Sequence, residues 1–192
     1  APQARELYAI VREYDCCISY MADGVVHNSR AQVARFAPYT TAPIRAMFER
    51  THIIEDDLDA FVARYDGPVE KFYISFLDAA ERSAAYARVR LLPYYITDAG
   101  FNDFEIMAPG VDKGAGLAQL AGLLGLRAAE VAAVGDSSND LPMLQYAGLA
   151  VAMGNASSAV RAAADVIVAD NEHGGIAEIL NRIAEGAFDR GH

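Results

Sequence analysis

The sequence predicts an α/β protein in two parts, a mixed α+β module followed by a parallel, helix-covered sheet. Three observations carry this. Hydrophobic residues make up 53% of the 192 positions and charged ones only 22%, which supplies a packed core and excludes disorder. Up to about residue 100, aromatic and β-branched runs are separated by short turn signals, so neighbouring strands pair through turns. From Lys113 onward, short apolar strands alternate with helical stretches, the pattern of strands joined by helical crossovers.

In chain order, Leu7, Ile10 and Val11 mark one face of a first helix. Residues 16–21 and 25–27 flank Asp23-Gly24 and predict a hairpin. Residues 29–50 show no dominant period. A helix is expected over 56–65 with Leu58, Phe61 and Val62 on one side, and a strand over 71–76. Asp78 is placed to cap a helix that runs to Leu92 and stops at Pro93. Strands over 94–97 and 104–107 enclose a turn at 98–103. In the second part Leu117, Leu120 and Leu124 predict a helical face, and 131–134, 149–153 and 166–168 predict strands.

Charge narrows the function. Sixteen Lys and Arg against 26 Asp and Glu leave −10, with no basic cluster to attract a phosphate backbone, so a nucleic-acid role is excluded. No apolar run approaches the roughly 20 residues that span a bilayer, and residues 1–6 are no basic leader. Cys16 and Cys17 are adjacent, where extended side chains diverge, and they read as small buried hydrophobes in a reducing, cytoplasmic setting. His27, His52, His173 and His192 lack metal-ligand spacing. Glu55, Asp56, Asp57 and Asp59 are expected to favour a helix N-terminus, and Phe72, Tyr73, Phe76, Tyr94 and Tyr95 to pack on a sheet.

Chemistry is expected straight after the strand at 131–134, because ligands of parallel sheets bind beyond the carboxyl ends of strands. The residues there are GDSSND, Gly135 to Asp140. Asp136 is positioned to hold a hard divalent cation through its carboxylate. Asn139 and Asp140 open a helix whose first turn accepts Pro142, and with Ser137 and Ser138 that helix start favours an anion. Taken alone, the cluster reads equally as a helix cap. Upstream, Lys113 begins KGAG at another helix start, where a lysine can neutralise phosphate; alone it reads as a solvated charge. Gly114-x-Gly116 lacks the third glycine of a dinucleotide loop.

Together, EIMAPGVDKGAGL (105–117), VGDSSNDLPML (134–144) and VAMGNA (151–156) resemble the third and fourth motif blocks, and the following strand, of Cof-like phosphatases of the haloacid dehalogenase superfamily. Asp165, Asn171 and Gly174-Gly175 resemble the family's closing segment. The resemblance implies a doubly wound parallel sheet of which residues 99–192 are the C-terminal half, with an inserted α+β cap over residues 1–98 that closes on and selects the substrate. It implies Mg²⁺ held by Asp136, phosphoryl contacts from Lys113 and Asn139, and Asp140 in support of Lys113; Ser137, at the helix start, is expected to join the phosphate contacts. The implied activity is hydrolysis of small phosphorylated metabolites, sugar phosphates or related compounds, through an aspartyl-phosphate.

That family's nucleophile lies in a D-x-D-G-T motif after a buried strand. Here Met21-Ala22-Asp23-Gly24 lacks the first Asp, and Asp57-Leu58-Asp59 lacks the glycine and lies in a predicted helix. The nucleophile is therefore expected upstream of Ala1, and the chain alone is expected to be inactive. The remaining half-sheet is then expected to leave apolar surface and a strand edge uncovered. Competing readings are a phosphomutase or sucrose-phosphate-type relative, and a non-catalytic phosphate-binding or regulatory module.

Overall fold

The computed structural model describes residues 2–39, 41–98 and 102–188, and divides into two compact units, Ala1–Pro109 and Gly110–His192. The turn expected at 98–103 lies partly outside the described residues, and His192 wholly so.

The first unit is built on a six-stranded sheet in the order β3-β2-β1-β4-β6-β5. Its strands are β1 (Cys16–Ala22), β2 (Val25–Ser29), β3 (His52–Glu55), β4 (Val69–Phe76), β5 (Tyr95–Asp98) and β6 (Asp103–Met107). The β1–β2 hairpin turns through Asp23 (φ 52°) and Gly24 (φ 73°), and positive φ at both central residues matches the right-handed twist of the strands. All pairings are antiparallel except β2–β3. That pairing is parallel because α2 (Arg30–Phe36) and α3 (Ala42–Thr51) carry the chain across, in the stretch where the sequence shows no dominant period. Strand β3 was not legible in the sequence: its four residues show no continuous buried run.

Alternation along β4 buries Phe72, Ile74 and Phe76 on one face, beside Ile18 and Tyr20 of β1 and Phe104 and Ile106 of β6. Three helices close that face: α1 (Pro2–Val11) with Leu7 and Val11, α4 (Leu58–Arg64) with Leu58, Phe61 and Val62, and α5 (Ala79–Val89) with Ala85 and Val89. Asp78 caps α5 as expected, its carboxylate accepting from the Ala80 and Glu81 N–H groups. Asp57 likewise caps α4, accepting from Ala60 N at 2.9 Å. Cys16 and Cys17 are free and buried, and burial first of all pushes both thiols up to about 12, so they stay protonated packing groups.

One boundary moves. Strand β6 pairs with β4 and β5 and so belongs to the first sheet, and the two units part between Pro109 and Gly110 rather than after residue 98.

The second unit holds a parallel sheet in the order β7-β8-β9, with β7 (Ala132–Gly135), β8 (Leu149–Ala152) and β9 (Val166–Ile167). Ala133, Ala150 and Ala152 pack on one face with Leu117 of α6 (Lys113–Leu123), Leu144 of α7 (Leu141–Tyr146) and Val160 of α8 (Ser158–Ala163). Val151 and Met153 pack on the other with Val168 and with Ile179 of α9 (Gly175–Ala184), so helices cover both faces.

The helical face predicted from Leu117, Leu120 and Leu124 is corrected by the packing of α6. Gly114 and Ala121 are its buried residues, with Leu117 partly buried, while Leu120, Leu123 and Leu124 are 52%, 80% and 64% exposed. The cause is a close approach: a Cβ on Gly114 would lie 2.5 Å from the Pro142 carbonyl oxygen, so the small-residue side of α6 rests on α7 and the leucines turn outward. Ile176, Leu180 and Ile183 of α9 are also exposed, and β7 pairs with β8 alone among the described residues.

Candidate active site

The site is built at the carboxyl ends of β7, β8 and β9. After β7 the chain turns through a single 3₁₀ turn, Ser138–Asp140, directly into α7, with Pro142 in its first turn. Gly135 permits the tight return, since a Cβ there would fall 2.5 Å from the Asp140 Cβ. Asp140 is thereby folded back under its own loop and is only 3% exposed.

Its carboxylate is saturated. Oδ2 accepts from the N–H groups of Asp136 at 2.9 Å and Ser137 at 3.1 Å, and Oδ1 forms a short charged hydrogen bond with Lys113 Nζ. Burial by itself would raise the Asp140 carboxyl, but the Lys113 ammonium and these two amides outweigh it and hold the group below the ordinary carboxylate range. Asp140 therefore stays ionised, and the first two amides of the loop are committed to it.

Lys113 reaches this point from the first residue of α6, whose N-cap Asp112 accepts from Ala115 N at 2.8 Å. Its Nζ also donates to Asn139 Oδ1 at 3.2 Å, and the side chain remains 49% exposed. Asp136 is exposed at the mouth of the loop. Its Oδ1 accepts from Ser137 Oγ and its Oδ2 from Asn155 Nδ2, both at 3.2 Å.

Lys113, Asp136, Ser137, Asn139 and Asp140, distant in part along the chain, thus meet in one connected cluster. Asn155 is the member to which sequence reasoning gave no role; its only signal was its place in VAMGNA, directly after a strand. Asp165 serves β8, accepting from Ala150 N at 2.9 Å. The three carboxylates rejected as nucleophiles have structural places: Asp23 in the hairpin turn, Asp57 on its cap, and Asp59 bonded to the Tyr8 hydroxyl.

A sequence model of haloacid dehalogenase-like hydrolases matches residues 2–180. The chain belongs to this family. Among its relatives, a phosphoglycolate phosphatase of Methanoculleus marisnigri is 36% identical over 110 residues, 57% of this chain and 47% of that protein. A haloacid dehalogenase-like hydrolase from Bacteroides thetaiotaomicron has a similar fold, with a TM-score of 0.73 and 27% identity, covering 93% of this chain and 65% of that one. The sugar phosphatase BT4131, of subclass IIB, shares the fold at a TM-score of 0.74 and 19% identity, over 94% of this chain and 65% of its own. The chain thus spans about half the length of that curated relative and under two thirds of both solved structures.

Magnesium, implied by the family, takes one or two carboxylates and fills its remaining positions with water and substrate phosphate. Among the described residues no three His, Cys, Asp or Glu side chains gather as a metal cluster. Asp136 fits the lesser requirement, with an exposed carboxylate whose two oxygens are each oriented by a neutral donor.

Proposed function

We propose that this protein is a cytoplasmic, Mg²⁺-dependent phosphomonoester hydrolase of small phosphorylated metabolites, sugar phosphates foremost. The observation that carries this reading is Lys113 held on Asn139 and buried Asp140 beside the exposed carboxylate of Asp136. A phosphatase needs fixed positive charge and a metal-binding carboxylate where the phosphoryl group transfers, and little else from this half of its core. The names of the phosphoglycolate phosphatase and of the sugar phosphatase support the phosphomonoester class.

In this reading Lys113 neutralises the transferring phosphoryl group, and Asp140 fixes the ammonium by holding it from below. Asn139 turns its Oδ1 to Lys113, which leaves Nδ2 to donate to a phosphoryl oxygen; the Ser137 hydroxyl, bonded to Asp136 Oδ1, turns to the phosphoryl group as a second donor. Asp136 contributes a carboxylate to magnesium, which when bound neutralises charge on the phosphoryl oxygens. The nucleophile is an Asp upstream of Ala1. It attacks phosphorus in line, the bond to the leaving alcohol breaks, and water then cleaves the aspartyl-phosphate. The first unit is the cap that selects the substrate, and the second is the C-terminal half of the catalytic core.

The test is hydrolysis of a generic aryl phosphate, with and without Mg²⁺, by the 192-residue chain and by the same chain preceded by its native upstream segment. Turnover is expected only in the longer protein and only with Mg²⁺. Phosphate binding without turnover in the longer protein would favour the regulatory module instead. Hydrolysis by the 192-residue chain that survives Asp136→Ala would overturn both the mechanism and the assignment of the nucleophile.

A further inference from the structure

We infer that Asn155 is a positioning residue that sets the orientation of the Asp136 carboxylate by latching it to the loop after β9. The inference rests on the reading of Asp136 as the magnesium ligand, and extends the site to a strand loop that the GDSSND motif does not contain.

The amide of Asn155 bridges two loops. Its Oδ1 accepts from the backbone N–H of Asn171 at 3.2 Å, and its Nδ2 donates to Asp136 Oδ2 at 3.2 Å. An asparagine amide is ordinarily ambiguous between its two orientations. Here a backbone N–H can only donate, so Oδ1 must face Asn171 and Nδ2 is left to face the carboxylate. The same logic makes the contact directional: an ionised carboxylate only accepts, and one of its oxygens is claimed by Nδ2 while the other takes the Ser137 hydroxyl.

The surrounding backbone is shaped for this bridge. A Cβ on Gly154 would lie 2.7 Å from Asp170 N, and one on Gly175 would lie 2.0 Å from the Ala169 carbonyl oxygen. The loop after β8 therefore nests against the loop after β9 at a distance that only glycine allows. Gly154 N donates to the Ala169 carbonyl at 3.2 Å, and Ser157 N to the Asp136 carbonyl at 3.0 Å, tying the Asn155 loop to both neighbours. Arg161 secures it further, its guanidinium donating to the carbonyls of Gly154 and Ala156. Asn155 is thus carried on a fixed backbone, and its side chain is the piece that transmits this fixity to Asp136.

Removing a group that orients a metal ligand typically weakens metal affinity by about 10–100-fold. Because Asn155 is neutral and exposed, the low end is expected. The experiment titrates Mn²⁺ as a magnesium surrogate into the full-length protein and follows loss of the free-ion electron paramagnetic resonance signal. It compares the parent with Asn155→Ala and Asp136→Ala. Asp136→Ala should abolish binding, and Asn155→Ala should raise the dissociation constant roughly tenfold. The Mg²⁺ concentration for half-maximal turnover should rise in parallel, with the substrate KM at saturating Mg²⁺ unchanged. Circular dichroism establishes that the variant is folded; if it is not, Asn155→Ser, too short to reach Asp136, replaces it with the same expectation. Loss of binding in Asp136→Ala with affinity within twofold of the parent in the Asn155 variant would overturn the latch and leave the proposed function standing. Unchanged binding in Asp136→Ala would overturn the assignment of the ligand, and the latch with it.

Discussion

The two units solve the same packing problem with opposite materials. In the first, Tyr20 sits at the centre of an aromatic cluster, edge-on to Tyr8, Phe61, Tyr65 and Phe72. Its polar side chains largely satisfy one another: Asn28 donates to the Ile18 carbonyl and Ser19 Oγ, its Oδ1 accepts from His52 Nδ1 at 2.7 Å, and Lys71 pairs with Glu105 at 2.6 Å. In the second unit the sheet face under α6, α7 and α8 is alanine, and glycines bring loops into contact. There the buried charge, Asp140, is held at the strand ends, at the mouth of the proposed site. Large side chains therefore mark the part that is packed through side chains, and small ones the part where backbone approaches backbone at the strand ends.

The sharpest way to break the comparison is through those materials. Phe104→Ala removes a fully buried ring from the aromatic core and should cost roughly 3–5 kcal/mol, read as faster amide exchange across β1, β4 and β6. Protection in these strands equal to that of the parent would show that the aromatic cluster does not carry the first unit.

Asp140→Ala should cost about 3 kcal/mol, since it leaves two backbone N–H groups and Lys113 without their acceptor. Exchange should accelerate in residues 135–144 and leave the first unit untouched. A global loss would mean that the loop does more than organise the strand ends.

A smaller effect is expected from acid. A carboxyl held below its unfolded value of about 3.9 stabilises the fold at neutral pH, and that contribution is lost as the pH falls through the lowered folded value. Lys113→Met removes the ammonium and leaves only the two amides to oppose burial, so the carboxyl rises relative to the parent and unfolding on acidification should begin at higher pH. Coincident acid limbs by circular dichroism would contradict the role given to Lys113.

The smallest effect belongs to Tyr20→Phe. The Tyr20 hydroxyl is buried without a hydrogen-bond partner among the described residues, so its removal should be neutral or stabilising by up to about 1 kcal/mol in chemical denaturation. A loss of several kcal/mol would reveal a bond that this packing does not contain.

What the sequence made legible follows the same division. The alternation of Phe72, Ile74 and Phe76, the Asp23-Gly24 turn and the Asp78 cap are local signals, and each was readable because neighbouring residues decide it. The GDSSND loop was readable because strand, glycine and acidic residues stand together. The burial of α6 was not: a row of leucines reads as a buried face until Gly114 meets Pro142, a contact between residues far apart in sequence. Strand β3 was hidden for a related reason, since its place depends on parallel pairing with β2 after a crossover. Asn155 was hidden because both its partners, Asp136 and the Asn171 N–H, lie on other loops.

The double amide grip of Asp140 has a thermodynamic consequence. The turn after β7 is closed by its own side chain, so its shape does not wait for an anion or a cation to arrive. Little conformational entropy is then left to lose on binding. A ligand that fits this loop has little chain to order, so its affinity depends more on charge and desolvation than on the cost of ordering the turn.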